Sequence, residues 1–227
     1  MVRISLYIFL TLIYIGFSKS IVPVKDNRSF LKSEKIFDSF FRSAPVSLVL
    51  IDMFEDGFFL KSYYLKLRIV HGFFPPEEIV IQTTHEYYRK NIKNLGMAIY
   101  QRKSLDLPGK LLPQPSGSIF IGDLTYGSWK LDKSGEKNWE FHHAFRQFPD
   151  FLGWGRFRPS TAFYEKLKVS DYYNQSFYGP NFEFGTEGSV SSKIFTASTS
   201  EKKEINKKIL HHLIKLFTWP TKKGEAQ

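Results

Sequence analysis

VSLVLIDMF, from Val46 to Phe54, is a nearly unbroken run of apolar residues rich in Val, Ile and Leu. It is too short for a typical helix and too continuous to face water, so it reads as a buried strand. Glu55-Asp56-Gly57 follows as a turn signal. From Tyr63 to Val70 the chain then alternates, with Leu65, Leu67 and Ile69 set against Lys66 and Arg68. That is the pattern of a half-buried strand with one wet face, antiparallel to its neighbour.

The flanks extend this nucleus. Upstream, residues 29–42 (SFLKSEKIFDSFFR) carry Phe30, Phe37 and Phe41, with Ile36 and Phe40, near helical spacing, and Pro45 ends the pattern. An amphipathic helix is expected there. Downstream, Pro75 and Pro76 interrupt the chain, Ile79-Val80-Ile81 reads as a third strand, and Met97 to Arg102 as a fourth. Between them lies a helical stretch at 84–95, with Gly96 placed to close it. Helix, three strands, helix, strand is an α+β order and not a βαβ alternation. The expected fold class is α+β: a mixed, largely antiparallel sheet with three to four helices.

The composition changes past residue 118, where Gly and aromatics become dense. Residues 107–118, LPGKLLPQPSGS, hold three Pro and two Gly and read as a linker or long surface loop. Ile119-Phe120-Ile121 reads as a strand. Leu124–Leu131 and Lys137–Phe141 flank Asp132-Lys-Ser-Gly-Glu136, a hairpin signal that lets Trp129 and Trp139 pair across the arms. A short helix from Asn138 to Phe148 is an equally good reading of the second arm. Residues 151–188 show no sustained period and read as loops packed by their own aromatics. Ser198 and Glu201 have capping-box spacing ahead of an apolar stripe of Ile205, Ile209, Leu213, Leu216 and Phe217. An amphipathic C-terminal helix is expected there, beside Lys202, Lys203, Lys207, Lys208 and Lys215. The expected organisation is a signal peptide at 1–20, an α+β segment at 21–106, the 107–118 connection, and an aromatic, Gly-rich segment at 119–227. The two larger segments form either two domains or one.

The first twenty residues, MVRISLYIFLTLIYIGFSKS, pair Arg3 with an apolar run from Ile4 to Phe17 and with small residues at Ser18 and Ser20. This is the layout of a cleaved export signal, and the run is shorter than the about 20 residues a bilayer span requires. The expected location is therefore outside the cytoplasm, periplasmic or extracellular. The 227 residues carry 32 Lys and Arg against 22 Asp and Glu and no Cys. Without Cys there is no disulfide scaffold, thiolate metal site or thiol nucleophile. Positive charge on an exported chain points away from nucleic acid and toward anionic envelope material: peptidoglycan, acidic glycan or an anionic membrane surface.

No HExxH, Walker A or GxSxG motif occurs, and Gly153 and Gly155 lack the third glycine of a dinucleotide fingerprint. No cofactor and no metal set is expected; Glu140-x-x-His143 is half of a di-iron pattern with no second copy. Two groups of residues remain as candidates. Asp123, Glu140 and His143 have the residue types of an acid–base set, as a hydrolase of an envelope polymer needs. Trp154, Arg156, Arg158 and Tyr178 combine ring faces for sugar C–H groups with donors for hydroxyls. The first expectation is a non-enzymatic binding or accessory protein of a bacterial envelope, acting on an anionic or glycan component. The alternatives are that hydrolase, or a peripheral membrane protein held by the basic C-terminal helix.

Overall fold

The computed structural model of the chain describes residues 2–21, 30–31, 37, 43–57 and 60–191. Its eight strands are β1 (Phe30–Leu31), β2 (Val46–Asp56), β3 (Ser62–His71), β4 (Glu77–Thr83), β5 (Met97–Arg102), β6 (Gln114–Pro115), β7 (Gly127–Leu131) and β8 (Lys137–Phe141). The helices are α1 (Val2–Ile21), α2 (His85–Lys90), α3 (Phe148–Phe151) and α4 (Thr161–Tyr172). Six strands form one sheet in the order β1-β4-β3-β2-β5-β6, and β7 and β8 form a separate hairpin. Among the described residues only β1 runs parallel to its neighbour. The fold is α+β with a mixed, largely antiparallel sheet.

Period-two patterning places the aliphatic residues. Leu48 sits opposite Ile69 and Leu50 opposite Leu67, while Leu65 sits opposite Ile81 on the next strand. These side chains share one face with Val46, Ile99 and Tyr100, and Phe37 and Tyr87 pack over it. Each fully buried Leu contributes about 1.5–3 kcal/mol. The other face carries Val49, Ile51, Val70 and Met97 into a second cluster, with Phe120, Tyr126, Trp139, Phe148, Trp154 and Phe163. Lys66 and Arg68 point to this side, and both are half-buried rather than wet. They converge on Glu78 of β4, at 2.6 and 2.8 Å, and Arg68 also donates to the Phe151 carbonyl. Burial pushes the Glu78 carboxyl up, but the hydrogen bonds and charges of Lys66 and Arg68 outweigh it, so the pKa falls below its ordinary value.

Several local expectations change. Phe30 and Leu31 are strand, paired with Gln82 and Thr83; residues 32–36 and 38–42 of the expected helix lie outside the described residues. The 84–95 helix is shorter: Thr84 caps α2 through a bond from the Tyr87 amide, and a 3-10 turn at Ile92–Asn94 follows. Ile119 and Phe120 belong to a 3-10 turn (Ser118–Phe120), because Gly117 and Gly122 on either side adopt positive φ and curl the chain. The Asn138–Phe148 ambiguity resolves as strand to Phe141, then a 3-10 turn at His143–Phe145. Trp129 does pair with Trp139, ring centroids 5.2 Å apart. Within 151–188 the chain forms α4, capped by the Ser160 hydroxyl, with Phe163 and Leu167 buried one turn apart. The expected C-terminal helix lies outside the described residues. Ile4, Leu6, Tyr7, Ile8 and other apolar side chains of α1 are exposed. Among the described residues no helix is long and apolar enough to cross a membrane.

Candidate ligand-binding cleft

Residues 103–113 leave the end of β5, loop outward and return to pair with the same strand. Gln101 and Lys110 exchange two backbone hydrogen bonds, at 2.9 and 2.7 Å, and Gln114 then sits opposite Ala98. The return is tight. Gly109 approaches the Tyr100 ring so closely that a Cβ there would lie 2.3 Å from a ring carbon. The 107–118 segment is thus in part a buried edge of the sheet, with Gln114, Ser116 and Ser118 all buried. The C-terminal half of α4 faces it and brings Leu167, Lys168 and Asp171 to the opposite wall.

A polar network forms between these walls. Lys110 Nζ donates to both carboxylate oxygens of Asp171, and Gln114 Nε2 donates to Asp171 Oδ1 at 3.1 Å. Ser118 Oγ lies 2.8 Å from Gln101 Oε1 and 3.2 Å from Gln114 Oε1, within donating distance of either. The Ile119 amide also donates to Gln101 Oε1. These donors fix the orientation of the Gln101 amide. Its Nε2 is buried and has no hydrogen-bond partner among the described residues.

The cleft above this network has a volume of about 290 Å³. A larger, more open cleft of about 820 Å³ adjoins it and shares Leu107, Pro108 and Lys110. Lys103, Lys110 and Lys168 line the first and Lys90 and Lys110 the second, against the single carboxylate of Asp171. Tyr178 lines the second cleft and donates its hydroxyl to Asn94 Oδ1 at 2.8 Å. Burial raises the Tyr178 phenol pKa above its ordinary value, so the ring stays neutral.

The other candidate residues lie elsewhere. Trp154 is only 2% exposed, donates its indole N–H to the Ser116 carbonyl at 2.9 Å and packs on Phe141. It is a core group and not a surface platform, because its ring packs within the aromatic cluster, against Phe141 and Phe157. Arg158 is tied to the Gly155 and Phe157 carbonyls, while Arg156 is exposed on the preceding turn. Of these four residues, Tyr178 alone lines either cleft.

The acid–base candidates each serve a different neighbour. Asp123 accepts from the Thr125 amide, Glu140 pairs with Lys130 across the hairpin at 2.7 Å, and His143 Nε2 lies 3.1 Å from Arg146 Nη1. Glu140 sits on a strand and His143 on a 3-10 turn, so the helical face that would align them does not exist. No hydrogen bond joins the three among the described residues. No three His, Asp or Glu side chains among the described residues are grouped to hold a metal ion.

No protein-family model, curated protein or solved structure matches this chain. What the cleft can do rests on its own chemistry. It offers amide and hydroxyl groups, several lysines and apolar walls, which suits recognition of a polar anion better than proton transfer. The residues that build it, Gln101, Lys103, Lys110, Gln114, Ser118 and Asp171, form no sequence motif. One local signal was available: Gln101 interrupts the buried strand MAIYQR, where a polar side chain needs partners.

Proposed function

We propose that the chain is an exported protein of a bacterial envelope with a non-enzymatic binding or accessory role toward an anionic or glycan component. The observation that carries this reading is the paired cleft around residues 107–113, whose two parts are lined by four lysines and by one carboxylate, Asp171, which Lys110 neutralises. Amide and hydroxyl groups on the floor suit sugar oxygens, and Leu107, Ile119 and Leu167 suit the C–H face of a ring. The export layout of residues 1–20 supports an envelope location.

Co-sedimentation with purified peptidoglycan sacculi and with an insoluble acidic polysaccharide tests the role. The protein is expected in the pellet with at least one of them, with no soluble fragments released. Salt should weaken the binding, because exposed charges are screened within about 10 Å at 0.1 M ionic strength. Protein that remains in the supernatant with both materials would overturn the reading. Release of fragments would replace it with a hydrolase.

A further inference from the structure

The geometry points to a carboxylate subsite in the smaller cleft, built to hold one acidic sugar unit of a longer glycan chain. This rests on the binding role proposed above and names the ligand class for the same cleft. Gln101 is 2% exposed, and its carbonyl oxygen already accepts from the Ile119 amide with the Ser118 hydroxyl in reach. Its Nε2 can only donate, and among the described residues it is buried without a partner. Native folds seldom leave such a donor unpaired, so the group that completes it is an acceptor oxygen and not a cation.

The charges around the floor select among acceptors. Asp171 is neutralised by Lys110, and Gln114 spends its amide N–H on the same carboxylate. Lys103 is exposed and makes no ion pair among the described residues, so its charge is available at the rim. Lys168 adds a second cation, shared with the exposed Glu165. A buried amide donor beneath the unpaired ammonium group of Lys103, with Lys168 beside it, matches a carboxylate better than a neutral hydroxyl. The volume of about 290 Å³ is at the small end of ligand pockets and fits a single ring. The larger cleft beyond Lys110 then takes the next unit, with Tyr178 in its wall. The ligand class is a uronic-acid-containing oligosaccharide, or a glycan whose amino sugar carries a carboxylate substituent.

The test titrates the full chain with a hexuronic acid tetrasaccharide and with the same tetrasaccharide after its carboxyls are reduced to alcohols. Muramic acid, a carboxylate-bearing amino sugar, distinguishes the second source. Wild-type protein is expected to prefer an acidic ligand over the reduced one by about tenfold or more. Gln101→Glu keeps the acceptor oxygen but puts negative charge in place of the donor, and should remove that preference. Lys103→Glu lies on the surface and should weaken acid binding several-fold, whereas Lys130→Glu on the distant hairpin should leave it unchanged. If Gln101→Glu fails to fold, Lys103→Glu and the reduced ligand decide the matter alone. Equal affinity for acidic and reduced sugars would overturn the subsite, as would a folded Gln101→Glu variant with full affinity. Retained co-sedimentation with sacculi or polysaccharide in that case leaves the binding role standing; loss of both removes it.

Discussion

The two faces of the central sheet are held in different ways. One is aliphatic, and its order comes from the strand ladder: Leu48, Leu50, Leu65 and Leu67 are opposed in register and need nothing else to place them. The other is covered by rings from segments with little regular structure, including Phe120, Tyr126, Trp139, Phe148 and Trp154. Their edges meet at angles, as Phe120 does with both Tyr126 and Phe148 at 68°. Bonds from side chains to backbone carbonyls pin them: Trp154 to Ser116, Ser116 to Leu152, Arg158 to Gly155. A ladder fixes position by repetition, whereas the aromatic layer fixes it by a few specific anchors.

The strongest way to break this contrast is at Trp154. Trp154→Ala should cost about 3–5 kcal/mol, as large aromatic truncations in cores do. Trp154→Phe restores much of the ring contact but leaves the Ser116 carbonyl without its indole donor, and should still cost about 1–3 kcal/mol. Urea unfolding of both variants measures the difference. A Trp154→Phe variant as stable as wild type would mean that the anchor carries no weight and that the two faces are alike.

Gly117 offers a finer test. Its φ is +68°, and a Cβ there would lie 2.5 Å from Leu152 Cδ1. Gly135 in the hairpin turn has φ +85°, with nothing within 4 Å of its Cβ position. Gly135→Ala should therefore cost only the backbone term, about 1–2 kcal/mol. Gly117→Ala should exceed it by about 1–3 kcal/mol of overpacking. Equal melting temperatures for the two variants would show that Leu152 gives way freely and that the aromatic layer is loosely packed.

These differences explain what the sequence disclosed. The apolar run of 46–54 and the period-two alternation of 63–70 are local signals, so β2 and β3 and their antiparallel pairing can be read directly. The hairpin with its Trp129–Trp139 pair is likewise local. Helix α4 was obscured because only Phe163 and Leu167 are fully buried, which is too narrow a stripe to show as periodicity. Pro159 and Ser160 were its better signal, since Ser160 caps it. The cleft was hidden for a different reason. Gln101, Lys110 and Asp171 meet only because a loop doubles back on β5 and α4 packs against it, and no spacing in the chain encodes that meeting. Conversely, Trp154 among glycines looks like a sugar platform in sequence and is a core residue in space.

The N-cap of α4 gives a smaller effect. Ser160→Ala removes the acceptor for the Phe163 amide at 3.3 Å and should cost about 1 kcal/mol. Thr84→Ala at α2, which sits over the aliphatic face, should cost about the same, because the capping chemistry is identical. Thermal melts of the two variants compare them. A much larger loss at Ser160 would show that the aromatic layer depends on α4 more than on its rings.

The smallest expected effect is a pH slope at the sheet end. His71 closes β3 opposite Val46, with Ser43 Oγ 3.2 Å from its Nδ1. Burial disfavours its charged form and lowers its pKa below the ordinary value of 6.5, against a weaker pull from Glu77 in the other direction. The unfolded chain therefore binds this proton more readily than the folded one. The stabilisation is complete above pH 6.5 and is lost as pH falls through the lower folded value. Glu78 also loses its contribution on acidification, but its folded pKa lies below the ordinary value of 4.5. Between pH 7.5 and 5.5 the two are therefore separable. Wild-type protein should lose stability to urea across that interval, and His71→Asn should lose less. A variant with an unchanged slope would place the acid sensitivity elsewhere in the molecule and leave the aliphatic face, which His71 borders, indifferent to pH in that range.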